Sequence, residues 1–140
     1  MTALRLPMPF RAALAACVLA AMVLAAVLSA CGSGPSSQAP ASYAPGSPTI
    51  AAMNQKFDRT SLAGPAGKPF QLVLDNQDSA PHNVAIYQDP TYSKTLFPGL
   101  PIAAVHTVQV YDVPALAAGT YAFRCDVHPT TMTGTIVIGG

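Results

Sequence analysis

Three kinds of patterning follow one another along the chain. From Ala12 to Ala30 the residues are apolar or small, without a charge (AALAACVLAAMVLAAVLSA). From Gly32 to Pro48 the apolar signal vanishes into GSGPSSQAPASYAPGSP, which is Gly, Ser, Pro and Ala interrupted by Gln38 and Tyr43. From Thr49 onward come short runs in which apolar and polar residues alternate, the period expected when successive side chains of a strand face opposite sides. The runs are Ile50–Phe57, Pro69–Asp75, His82–Tyr87, Val105–Tyr111, Gly119–Cys125 and Gly134–Ile138, bounded by Pro, Gly, Asn and Asp. A further short strand is expected around Thr95–Phe97. In Gly119–Cys125, Tyr121 and Phe123 fall on one face. No segment beyond Thr49 carries a helical period. At least six strands without a helix predict an all-β fold, a two-sheet Greek-key β-sandwich over residues 49–140.

The two leading segments predict processing and tethering rather than fold. Arg5 and Arg11 precede the apolar block, and small residues end it. A basic start, an apolar core and a small-residue end describe a secretory signal peptide over residues 1–30. Nineteen uncharged residues would also reach across a bilayer as an anchor helix. The end of the run, Leu28-Ser29-Ala30-Cys31, resembles a bacterial lipobox. That resemblance implies a diacylglyceryl chain on the Cys31 thiol and cleavage just before it. Leu14-Ala15-Ala16-Cys17 fits the same pattern, but only Ala12 and Ala13 separate it from Arg11, too little for a signal core. Residues 31–48 cannot bury enough apolar surface to fold and read as a flexible, partly extended linker. The expectation is an exported lipoprotein, held at the membrane on its periplasmic or extracellular face.

Charge excludes some partners. Lys plus Arg is 7 and Asp plus Glu is 6, every acidic residue being Asp. A clustered basic surface for nucleic acid is absent from this sequence. Loss of residues 1–30 would remove Arg5 and Arg11, leaving five basic residues against six acidic and a net charge of −1. Long-range steering of a charged partner would then be weak. Of three Cys, Cys17 would leave with the signal and Cys31 would carry lipid. Cys125 would remain alone, so no disulfide forms within the domain, and its thiol is either a buried inert group or a metal thiolate.

The last two predicted strands frame Cys125-Asp126-Val127-His128-Pro129-Thr130-Thr131-Met132. A thiolate, an imidazole and a thioether share this loop, and His82 stands just after Pro81 on another segment. Two imidazoles, one thiolate and one weak thioether make the ligand set of a blue-copper electron-transfer centre: His82, Cys125, His128 and Met132. Thiolate and thioether suit Cu(I), whereas imidazole accepts both oxidation states. A rigid compromise between their preferred geometries permits fast transfer. His106 lies in an alternating run with Thr107 and Gln109 and reads as a surface or satisfied core histidine; Met53 reads as packing.

Residues 50–140 resemble a cupredoxin of the plastocyanin/amicyanin type. The matching pieces are Asp75-Asn76-Gln77-Asp78, Pro81-His82-Asn83-Val84, and Tyr121-Ala122-Phe123-Arg124-Cys125-x-x-His128-Pro129-x-x-Met132-x-Gly134. The resemblance implies one copper per domain, cycling between Cu(I) and Cu(II), on His82, Cys125, His128 and Met132. It implies that Asn83 ties the two ligand loops together by hydrogen bonds. It also implies that the His128 ring reaches the surface within an apolar patch, with Pro81, Pro98, Leu100, Pro101 and Pro129 as its neighbours, where redox partners make transient contact. Two residues separate Cys125 from His128 and three separate His128 from Met132, a ligand loop between the short and longer versions of the family.

Other chemistries fail on inventory. Asp126 to Thr131 lacks the second Cys that a binuclear copper site needs. Structural zinc wants more thiolates or a tighter His pair. Ser79, Asp78 and His82 are too local for a triad, and no carboxylate pair or Gly-rich phosphate loop stands out. The expected function is a membrane-anchored, monomeric, non-enzymatic carrier of single electrons. The alternatives are a copper carrier that delivers metal to an oxidase or sequesters it, and an interaction module with a vestigial site.

Overall fold

The structure, a computed structural model, describes residues 42–139. The signal peptide, Cys31 and the linker up to residue 41 lie outside the described residues. Among the described residues no helix is long and apolar enough to cross a membrane.

Residues 42–48 form a coil with a turn at Pro45 and Gly46. Nine strands follow: β1 Thr49–Met53, β2 Lys56–Phe57, β3 Ser61–Pro65, β4 Phe70–Asn76, β5 Ala85–Tyr87, β6 Thr95–Phe97, β7 Thr107–Val113, β8 Gly119–Arg124 and β9 Thr133–Gly139. They build two mixed sheets, ordered β2-β1-β4-β7 and β3-β9-β8-β5-β6. β1 runs parallel to β4 and β3 parallel to β9, while the other pairs are antiparallel. The expected all-β sandwich is therefore present.

Alternation explains the layers. Ile50, Leu72, Leu74, Tyr111 and Val113 from the first sheet meet Leu62, Ile86, Phe97, Tyr121, Phe123, Ile136 and Ile138 from the second in one buried cluster. Tyr121 and Phe123 do share the inward face of β8, and Ala122 between them joins Ala85, Tyr87 and Tyr92 on the outside. Burying an aromatic such as Phe123 contributes about 1.5–3 kcal/mol relative to leaving it in water. Its ring is paired edge-on with Phe57 at 5.6 Å. Space for it comes from Gly134, where a Cβ would lie 2.3 Å from Phe123 Cζ and 2.6 Å from the Thr60 carbonyl oxygen.

Several boundaries differ from the sequence reading. Ile50–Phe57 is not one strand: Asn54 and Gln55, both at positive φ (53° and 55°), turn the chain into the β1–β2 hairpin. β3 was not anticipated, because Ser-Leu-Ala-Gly-Pro sends only Leu62 fully into the core. His82 precedes β5, joined to Ala103 by an isolated bridge. His106 belongs to a turn before β7, at φ 53°, rather than to the strand, and it is exposed.

Candidate metal centre

The site is built at one end of the second sheet, where β8 stops. Cys125 follows Arg124 and donates its N–H to the Met132 carbonyl at 2.9 Å, so the intervening loop is closed at its base. Inside that loop the Met132 N–H returns to the His128 carbonyl at 3.2 Å, folding the His128 ring back over Cys125. The other imidazole comes from the segment before β5. Two main-chain bonds with Ala103, at 3.2 and 2.8 Å, fix the His82 backbone.

Three donor atoms converge. His82 Nδ1 lies 3.2 Å from His128 Nδ1 and 3.7 Å from Cys125 Sγ, and His128 Nδ1 lies 4.0 Å from the same sulfur. A point equidistant from the corners of that triangle is about 2.1 Å from each, the length of an ordinary bond from a first-row metal to imidazole or thiolate. His82, Cys125 and Met132 are fully buried, and His128 is half-buried. Among the described residues these two His and Cys125 form the one cluster of metal-donor side chains. An N₂S triangle with a thioether on the same loop is the donor set of a copper centre rather than of structural zinc, and one copper ion fits it.

Two hydrogen-bond systems hold the donors. Asn83 links the segments: its Oδ1 accepts the Asp126 N–H at 2.7 Å, and its Nδ2 reaches the Pro98 carbonyl at 3.3 Å and Asp126 Oδ2 at 3.4 Å. Its own N–H points to Cys125 Sγ at 3.5 Å. Asp126 is immobilised in turn by the Tyr87 hydroxyl at 2.5 Å and Arg124 Nε at 2.8 Å. Partial burial pushes the Asp126 carboxyl up, but the bonds from Tyr87, Arg124 and Asn83 outweigh it and leave the group below its usual range. The Arg124 guanidinium packs over the rings of Tyr87 (4.8 Å) and Tyr92 (4.7 Å). Beneath the site, burial pushes the Tyr111 hydroxyl well above its ordinary pKa.

The second system was not anticipated from the sequence. Asp78 Oδ2 lies 3.0 Å from His82 Nε2, the ring nitrogen facing away from the donor triangle. The Gln55 main-chain N–H binds the same oxygen at 2.7 Å. That bond first, and then the contact with His82, hold the Asp78 carboxyl down to about 2. Buried Asn76 fastens the loop, its Nδ2 reaching the Ala80 and Ala104 carbonyls, both at 2.9 Å. Asp78 stands in the matched Asp75-Asn76-Gln77-Asp78 piece and four residues before His82, but neither signal places its carboxylate against the His82 ring.

The family profile of the cupredoxin-like domain matches residues 18–138. This chain belongs to the cupredoxin-like family. The cupredoxin fold recurs in solved structures. Dithionite-reduced auracyanin from the photosynthetic bacterium Roseiflexus castenholzii superposes with a TM-score of 0.57 at 17% identity, over 66% of this chain and 95% of its own. Auracyanin A, a "blue" copper protein of Chloroflexus aurantiacus, gives 0.52 at 22% identity, over 64% and 97%. Amicyanin from Paracoccus versutus gives 0.51 at 20% identity, over 68% and 83%. At these identities the likeness is one of fold. A search of curated proteins found no match.

Proposed function

We propose that this cupredoxin domain is a type 1 copper protein that passes single electrons between redox partners, exported and tethered to a membrane through Cys31. The observation that carries the reading is the buried triangle of His82 Nδ1, His128 Nδ1 and Cys125 Sγ. Bound there, copper supplies a one-electron couple. His82 and Cys125 hold their positions because a strand end and a main-chain bridge fix them, and Met132 fills the closed base of the loop as the weak fourth donor. Little rearrangement is then needed when the charge of the site changes. His128 is the one half-exposed donor and offers the short way out for an electron. Exposed Pro98, Leu100, Pro101 and Ile102 belong to the loop gripped by His82 and Asn83, and exposed Val127 adjoins His128. This apolar rim suits brief, small-area docking of a redox protein. A copper carrier would present releasable donors to solvent, whereas His82, Cys125 and Met132 are closed off, which favours the shuttle.

The test is copper titration of the purified domain. One equivalent should produce an intense visible band from Cys125 thiolate charge transfer, and Cys125→Ser should abolish the band while the circular dichroism of the sandwich persists. A colourless wild-type domain, or a coloured Ser variant, would refute the assignment.

A further inference from the structure

We propose that Asp78 is a positioning residue of this centre, fixing the tautomer of His82 through Nε2 and placing a permanent negative charge behind the imidazole. The proposal rests on the reading of His82 as a copper ligand. An imidazole that donates a lone pair from Nδ1 must carry its proton on Nε2, and in a fully buried ring that proton needs an acceptor. Asp78 Oδ2 lies 3.0 Å from Nε2 and supplies it.

Besides His82, two main-chain N–H groups hold the carboxylate, and Asn76 holds the Asp78 main chain. Oδ2 also receives the Gln55 N–H at 2.7 Å, Oδ1 receives the Ser79 N–H at 2.7 Å, and the Asp78 N–H donates to Asn76 Oδ1 at 3.0 Å. Gln55 makes its contribution from a left-handed conformation (φ 55°) that a residue with a Cβ seldom adopts. The β1–β2 turn, which belongs to the opposite sheet from Cys125, thus braces the acceptor of the His82 proton. Because the acceptor is so restrained, the ring is held in rotation as well as in tautomer.

A fixed anion beside the site favours the more positive state of the metal. Removing it should weaken Cu(II) more than Cu(I) and raise the reduction potential. Loss of such an outer partner commonly weakens metal binding about 10- to 100-fold.

The experiment compares wild type, Asp78→Asn, Asp78→Ala and the control Asp75→Asn, which removes an equal charge at the end of β4 without touching His82. In the metal-free domain, ¹⁵N NMR should show His82 as the Nε2–H tautomer with a slowly exchanging proton in wild type and Asp75→Asn. In Asp78→Ala the proton should exchange rapidly and the Nδ1–H form should appear. In the copper-loaded domain both Asp78 variants should bind Cu(II) about 10- to 100-fold more weakly and show a raised potential, with Asp75→Asn shifting far less. If Asp78→Ala fails to fold, Asp78→Asn, which preserves shape, decides the matter on affinity and potential. Copper bound normally with tautomer, affinity and potential unchanged in the Asp78 variants overturns this role alone. A wild-type domain that takes up no copper overturns the reading beneath it, and the role with it.

Discussion

Replacing Asn83 by Ala removes the link between the two donor segments and leaves the donors themselves in place. The side chain is buried and makes one short bond, from the Asp126 N–H at 2.7 Å, and two long ones, to the Pro98 carbonyl at 3.3 Å and Asp126 Oδ2 at 3.4 Å. Leaving a partly buried main-chain N–H without its acceptor costs about 1–3 kcal/mol, and each long bond adds about half of an ordinary net contribution of ~1 kcal/mol. The variant should therefore lose about 2–4 kcal/mol, a large share of the stability of a small domain. Urea denaturation of the metal-free domain measures this directly, since bound metal would mask the loss by mass action. The chain has no Trp, so far-UV circular dichroism is the appropriate probe. Gln109→Ala is the control: its Nε2 bonds only to the carbonyl of neighbouring Val110 and should cost no more than ~0.5 kcal/mol. A loss below ~1 kcal/mol for Asn83→Ala, with an unchanged denaturant slope, would refute the view that this amide joins the two segments.

Gly134→Ala would set a methyl against Phe123 and the Thr60 carbonyl; overpacking of this kind costs about 1–3 kcal/mol, and a melting temperature equal to wild type would contradict the contact. Asp58, Asp78, Asp89 and Asp126 all sit below the ordinary carboxyl value of 3.8 in the folded domain. The unfolded chain therefore binds protons first, so their stabilisation is complete above about pH 4 and falls away toward about pH 2. Urea midpoints of the metal-free domain should drop across that interval, and a flat profile would count against these hydrogen bonds. Cys31→Ser should release the domain from membranes or leave an unprocessed precursor, as fractionation of expressing cells would show; normal maturation and membrane retention would exclude the lipid anchor.

Much of the sandwich was legible because alternation reports burial on one face: β4, β8 and β9 came within a residue or two of their observed limits. The His82, Cys125, His128 and Met132 pattern was legible because a thiolate, an imidazole and a thioether share one eight-residue loop and Pro-His-Asn-Val stands upstream. What escaped depended on contacts distant in sequence. β3 has little alternation, and its place is set by parallel pairing with β9. The hairpin at Asn54 and Gln55 lacks the glycine that would signal positive φ. His82 pairs with Ala103 in an isolated bridge rather than joining β5, which begins at Ala85. The role of Asp78 escaped because it depends on the local fold that turns His82 Nε2 toward it and on Gln55, which comes from a distant turn.

The separation of His82 from Cys125 sets an order of events in folding. The two residues are 43 positions apart, and β5 pairs with β8 through Ala85–Arg124, Ile86–Phe123 and Tyr87–Ala122 just beside them. Closing so long a loop is entropically costly and comes late relative to local hairpins. Until those strands are in register the loop offers Cys125, His128 and Met132 without the second imidazole, His82, that completes the donor set. In stopped-flow refolding with copper present, the blue absorbance would therefore trail the tyrosine signal of collapse, and its rate would time the joining of β5 to β8.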